Sequence, residues 1–294
     1  MEHIVLPPPA PLKAFIVNYW YLRLDSIPAS EYILKTFVTG TVEAYFLKNP
    51  LSDLVTTSLQ GIDTTPATIR KMSSLEVYGI TFYPWALPEL FGISADELTN
   101  QQIPLSELFP LELLNRIIET PVLIEKFNLL TSFLLQKKET ISRDAVVLEV
   151  LKKIELSEDR LEIHKLYKTI PLSERQFQRR FKKVVGVSFK EYLKINRFQK
   201  AQSILKSNKE INLTQVAYQL GFADQSHFVN QTKELTGMAP KMLHRSFNTS
   251  TLNARGSTKY LIETNKIEFL TKHRHPIEEK TRDIIQIYDF HESA

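Results

Sequence analysis

Apolar and polar positions follow two periodicities along the chain. Up to about residue 83, aromatic and β-branched residues gather in short runs at Phe15 to Leu24, Thr41 to Leu47 and Leu75 to Tyr83. Such runs, punctuated by Pro28, Gly40, Pro50, Gly61 and Pro66, predict strands joined by turns. They favour a small antiparallel β barrel or sandwich over a parallel sheet. From Pro84 the period lengthens. Leu123, Phe127, Leu130 and Leu134 form one helical stripe after Pro121, a residue suited to the first position of a helix. This helical appendix closes the β region near Lys138, its stripe either covering the barrel or forming a dimer face.

Residues 142 to 247 read as helix almost throughout, with one scheme used twice. In the first unit Ile163, Leu166, Tyr167 and Ile170 share a stripe, and Pro171-Leu172 forces a turn. Ser173 then caps a second helix, with Gln176 completing a capping box and Gly186 ending it. Phe177, Phe181, Val184 and Val185 fall on its inner face, whereas Arg175, Gln178, Arg179 and Lys182 fall on another. The second unit buries Leu213, Val216, Ala217 and Leu220, has Asn212 and Gln215 as a capping pair and stops at Gly221. Asp224 caps the next helix, which turns Phe228 and Leu235 inward and leaves Gln225, Ser226 and Asn230 outward, before Gly237 stops it and Pro240 opens a last short helix. Between the units runs one long helix, about Ser188 to Lys206, whose Tyr192, Ile195, Phe198, Ala201 and Leu205 can pack against both.

Beyond Arg245 the stretch Ser246 to Lys259 resembles a linker, followed by two strand-like runs, Tyr260 to Leu270 and Asp283 to Phe290. The organisation predicted is α+β in three parts. Residues 1–140 form the small antiparallel barrel with its helical appendix. Residues 141–247 form an all-α domain of two helix-turn-helix units joined by a long helix, and 248–294 form an extension of unassigned role.

Charge sharpens this division. The net charge of +4 over 294 residues conceals 10 Lys/Arg against 15 Asp/Glu in 1–140, 20 against 11 in 141–247, and 7 against 7 thereafter. A net +9 concentrated in one block attracts polyanions and is the footprint of a nucleic-acid module. Absence of cysteine rules out disulfides, thiolate zinc sites and a thiol nucleophile. No apolar stretch approaches the roughly 20 residues of a membrane helix and no leader pattern opens the chain, so a cytoplasmic, nucleoid-associated protein is expected. His273 and His275 lack a third clustered ligand, and neither a metal nor a cofactor is expected.

The run Ile211 to Arg245, INLTQVAYQLGFADQSHFVNQTKELTGMAPKMLHR, resembles the signature region of AraC/XylS transcription regulators in its Ala, Leu-Gly-Phe, Asp-x-Ser-x-Phe, Lys, Gly and Pro landmarks. Upstream, Ser173-x-Arg175-x-Phe177-x-Arg179-x-Phe181, Gly186, Tyr192, Arg197 and Ala201 are similar to that family's first unit. Three positions depart from the pattern: Thr232 stands where the family usually has Phe, His244 where it has Tyr or Phe, and Ile170-Pro171 replaces a flexible turn. Looser packing around the second unit would follow. The resemblance implies a sequence-specific regulator of transcription, an activator or a repressor, whose partners are double-stranded DNA and RNA polymerase. By that similarity Arg175, Gln178 and Arg179 face bases from the first unit, and Gln225, Ser226 and Asn230 from the second. Arginine bonds bidentately to guanine in the major groove, and Gln or Asn to adenine. Lys182, Lys183, Lys190 and Arg197 contact phosphates or the domain's own surface. Two such units on one chain suit successive major grooves, and residues 141 to 247 alone are expected to bind duplex DNA.

In the first region Tyr19-Trp20-Tyr21 and Gly79-Ile80-Thr81-Phe82-Tyr83-Pro84-Trp85 resemble two aromatic strands of an uncharacterised N-terminal domain carried by regulators of this family. Sensing of a small molecule, or a homodimer, is what that resemblance implies, while the residues themselves read equally as barrel core. Two other functions stay open at this point. One is a DNA-localised enzyme with catalysis in 1–140, where no nucleophile motif, phosphate loop or paired carboxylates stand out. The other is a basic module for RNA or acidic proteins.

Overall fold

The computed structural model describes residues 2–24, 32–48, 54–72, 74–138, 144–156, 163–208, 210–249 and 260–264. Nine strands and nine α-helices are described among them: β1 (Glu2–Leu6), β2 (Ile16–Leu24), β3 (Tyr32–Thr36), β4 (Val42–Lys48), β5 (Val55–Gln60), β6 (Ala67–Met72), β7 (Leu75–Phe82), β8 (Gln102–Pro104), α1 (Leu111–Glu119), α2 (Leu123–Lys138), α3 (Ala145–Leu156), α4 (Ile163–Thr169), α5 (Glu174–Val185), α6 (Phe189–Ser207), α7 (Leu213–Gln219), α8 (Gln225–Thr236), α9 (Pro240–Thr249) and β9 (Tyr260–Thr264).

The expected antiparallel N-terminal region and helical C-terminal domain are both present. Three of the runs legible as strands become β2, β4 and β7, which pair side by side over nearly their whole lengths. They form the middle of a six-stranded sheet ordered β1-β2-β7-β4-β5-β8, and a three-stranded sheet ordered β6-β3-β9 accompanies it. Among the described residues the strands thus form two antiparallel sheets. Central strands buried on both faces explain why β2 and β7 are near-continuously apolar.

On one face of the large sheet lies α2. Phe127, Leu130 and Leu134 are fully buried, the Tyr19 and Phe127 rings stand 5.2 Å apart, and the Tyr19 hydroxyl bonds to Thr131 Oγ1 at 2.7 Å. Phe127, Leu130 and Leu134 of the stripe thus cover the sheet. Trp20, Leu22, Leu24 and Val77 build a second, smaller apolar cluster. Tyr19, Trp20, Tyr21 and Trp85 are all buried, as core residues would be.

Past α3 the helices follow the order read from the sequence. One hydrophobic core runs without interruption from Leu6 through the sheet, α2 and α3 into Phe247. Helices α5, α6 and α8 thus share a core with the N-terminal region, so a fragment of 141–247 would expose apolar surface that the whole chain buries. The C-terminal extension also returns to this region: β9 pairs antiparallel with β3, Tyr32 opposite Thr264 and Thr36 opposite Tyr260. Pro28, Pro50, most of the linker-like stretch, the rest of the first strand-like run of the tail, and the whole of the second lie outside the described residues.

Candidate nucleic-acid interface

Helix α5 is built as its pattern demands. The Ser173 hydroxyl accepts the Gln176 amide, and the Gln176 side chain accepts the Ser173 amide, a reciprocal cap that stabilises a helix start by roughly 1 kcal/mol. Phe177 and Phe181 are fully buried and meet the Phe189 ring edge-on at 5.2 and 5.1 Å. Each such aromatic pair adds roughly 0.5–1.5 kcal/mol beyond its buried area. Anchored on that side, the helix leaves Arg175, Gln178, Arg179, Lys182 and Lys183 exposed. Gln178 Nε2 donates to Glu174 Oε1 at 3.0 Å, which orients the amide along the helix.

The second unit repeats the arrangement. Asn212 Oδ1 accepts the amides of Thr214 and Gln215 at the start of α7. Asp224 Oδ1 accepts the His227 amide at the start of α8. Phe228 and Leu235 are fully buried, while Gln225, Ser226 and Asn230 are exposed in the first half of α8. The Thr214 hydroxyl donates to Gln225 Oε1 at 2.7 Å, tying the first residue of α8 to the N-terminal turn of α7 and fixing which way the Gln225 amide points.

All six residues expected to face bases lie on exposed helix faces, in the first halves of α5 and α8. Of the four residues assigned to phosphates or to the domain's own surface, Lys182, Lys183 and Lys190 are exposed. Arg197 is not: it is half-buried and lies over the Phe222 ring, 5.2 Å from its centroid, which gives it a packing role inside the second unit.

The expected loosening is absent from the described structure. Thr232 is buried, and its hydroxyl donates to the Phe228 carbonyl at 2.9 Å, so a polar side chain sits in the core with its hydrogen bond made. His244 Nε2 meets the Asn208 carbonyl at 2.8 Å, joining α9 to the end of α6. Ile170 is buried at the turn before Ser173. Burial pushes the Lys206 ammonium, which lies over the Phe247 ring, down to about 8.

Sequence reasoning missed the residues that join these helices to the N-terminal region. Arg180, on the flank of α5, holds both oxygens of Asp144 at 2.8 Å, and these bonds raise its guanidinium above the ordinary arginine value. Asp144 Oδ1 also accepts the Val147 amide as the cap of α3, and its own amide donates to the buried Glu89 carboxylate. A separation of 36 residues leaves no periodic trace. Among the described residues no group of three His, Cys, Asp or Glu is arranged to hold a metal, and no helix is long and apolar enough to cross a membrane. His273 and His275 lie outside the described residues.

Residues 166–246 match the family described as a helix-turn-helix domain, and 4–104 match a domain of unknown function, DUF6597. A search of curated proteins gives no match. Among solved structures, the chain is similar to the DNA-binding domain of the global transcriptional factor AdpA in complex with a target DNA, at 21% identity over 35% of this chain and 93% of that one, TM-score 0.33. It is also similar to ToxT from Vibrio cholerae O395, at 16% identity over 79% and 98%, TM-score 0.39. An unsaturated fatty acid bound wild-type ToxT from Vibrio cholerae strain SCE256 aligns at 17% identity over 78% and 94%, TM-score 0.36.

Proposed function

Because the C-terminal region carries an AraC-type helix-turn-helix domain, we propose that the protein is a sequence-specific DNA-binding regulator of transcription that docks both units on one duplex. A single observation carries this reading: two capped helices, each anchored by buried aromatic residues, leave Arg175, Gln178 and Arg179 on one and Gln225, Ser226 and Asn230 on the other free of the core. Helix α6 between them has 19 residues, about 28 Å at the α-helical rise, comparable with the roughly 34 Å between successive major grooves. Exposed Lys182, Lys183 and Lys190 supply phosphate contacts, which hold register without reading sequence.

Selection of bound duplexes from a random pool tests this directly. Wild-type protein enriches a bipartite site, and Arg175→Ala with Arg179→Ala abolishes enrichment of one part of it. Equal retention of RNA, or no duplex enriched at all, would overturn the proposal.

Control through the N-terminal region is the finer part of the reading. It is supported by the apolar cluster of Trp20, Leu22, Leu24 and Val77 on strands β2 and β7 and by the core shared with α5, α6 and α8. A small apolar effector, or a second copy of the chain, acting on residues 4–104 would alter duplex affinity. Titrating fatty acids and aromatic acids against the duplex-bound protein, with sedimentation to follow dimers, tests both.

A further inference from the structure

Resting on the reading of α5 and α8 as recognition helices, we propose that the N-terminal region sets the spacing between them, holding each by its C-terminal end through a separate loop, with Thr99 and Gln199 as the positioning residues.

The loops treat the two helices alike. In the first unit, Gly186 ends α5 at φ +91°, and the Thr99 hydroxyl donates to its carbonyl at 2.7 Å. That hydroxyl has one proton, and the alternative acceptor, the Ala95 carbonyl, is 3.5 Å away, so the bond to Gly186 prevails. A Cβ on Gly186 would stand 3.1 Å from both the Ala95 carbonyl oxygen and Thr99 Oγ1; the glycine serves the left-handed turn and the close approach of the loop together.

In the second unit the loop between β3 and β4 does the same. The Val38 amide donates to the Leu235 carbonyl near the end of α8 at 3.0 Å. Gln199 Nε2, from the middle of α6, donates to the Thr39 carbonyl at 2.5 Å. Gly40, at φ +66°, places its Cα so near α6 that a Cβ would lie 3.0 Å from Ile195 Cγ2.

Carbonyls at a helix C-terminus lack partners within the helix. Here the N-terminal region provides partners for such carbonyls at the ends of both recognition helices and braces the helix between them. The reading residues lie toward the opposite ends, so holding and reading do not compete. Helix α6 itself packs on both units, through Phe189 against α5 and Arg197 over Phe222; the supports on α5, α6 and α8 add a second set of contacts that limits how far either unit can tilt. Arg180, bound to Asp144, adds a further tie on α5.

Operator spacing reads this arrangement. The full-length wild type, Thr99→Val and Gln199→Met are each bound to the selected bipartite duplex and to versions with one base pair inserted or removed between its parts, a shift of about a tenth of a helical turn. The wild type is expected to lose about ten-fold or more on the altered duplexes, as it would for a wrong base pair. Either variant is expected to lose no more than about three-fold while keeping the same base preferences. Thr99→Ser, which keeps the hydroxyl, restores wild-type discrimination. Thermal melting shows which variants are folded, and if Thr99→Val is not, Gln199→Met makes the same comparison at the other loop. Folded variants that discriminate spacing as the wild type does, or weaken equally on every spacing, overturn the proposal. A wild type that selects no duplex overturns the DNA-binding reading instead.

Discussion

Arg180 and Asp144 meet through two parallel 2.8 Å bonds, joining the flank of α5 to the residue that caps α3. Asp144 also caps α3 through the Val147 amide at 3.1 Å, so one carboxylate serves a helix terminus and an ion pair together. The Arg180 side chain is 39% exposed, and solvent screening limits the pair to roughly 1 kcal/mol or less. Loss of the cap costs about 1 kcal/mol more. Asp144→Ala should therefore destabilise the protein by about 1–2 kcal/mol, and Asp144→Asn, which retains a capping oxygen, by less. Urea unfolding of the two variants decides the matter; equal losses would mean that the cap contributes nothing.

Exposed polar residues and buried anchors separate cleanly on α5, so the proposed base contacts can be removed without a folding loss. Each of Arg175→Ala and Arg179→Ala should weaken the selected duplex by roughly 1–3 kcal/mol, the discrimination given by a bidentate base contact. Lys182→Ala should instead weaken all duplexes alike and lower the slope of log affinity against log salt by about 0.9. Binding isotherms at several salt concentrations distinguish these effects, and a base-selective loss in Lys182→Ala would reverse its assignment.

Much of the helical half was legible because its signals are local. The Ser173 and Gln176 cap, the Gly186 stop and the Phe177 and Phe181 stripe each depend on neighbours within one or two helical turns, and the structure places them as the spacing demands. Strands β2, β4 and β7 were legible as runs. The second sheet was not, since pairing of β9 with β3 joins residues more than two hundred positions apart. Thr99, Gln199 and Asp144 left no signal, because polar residues outside a periodic stripe look alike until tertiary structure supplies their partners. Of the two partners the sequence leaves open for Arg197, phosphate or the domain's own surface, the structure shows its long side chain against Phe222.

His3 gives the fold a defined response to acid. Strand alternation puts it on the side of Val5, opposite Leu22 in the β1–β2 register, and burial lowers its imidazole from the usual 6.5 to about 4. Between those values the unfolded chain binds a proton that the folded chain refuses, so stability falls as pH falls through that window; above it neither state is protonated. The slope is about 1.4 kcal/mol per pH unit. His3→Gln removes this contribution. Denaturation from neutral pH down to about 4 should show the wild type losing about 3 kcal/mol more than the variant, and parallel curves would assign the proton uptake elsewhere.

Thr232 occupies a position where an aromatic residue would be expected from the resemblance, and the structure explains why threonine suits this chain. The residue is buried, its hydroxyl is bonded to Phe228 O, and its own carbonyl accepts the Thr236 hydroxyl at 2.7 Å. One turn further along the same helix, Leu235 receives the Val38 amide from the N-terminal region, so α8 has little room to shift outward. Thr232→Phe would force a large ring into a filled site and should cost about 1–3 kcal/mol or more through overpacking. Thr232→Val keeps the shape and removes one side-chain hydrogen bond whose acceptor already belongs to a helix, a loss of about 1 kcal/mol. Chemical denaturation should rank wild type above Val above Phe. A stabilised Thr232→Phe protein would show that α8 can retreat from the loop at Val38, and the spacing discrimination of that variant should then relax as it does in Thr99→Val.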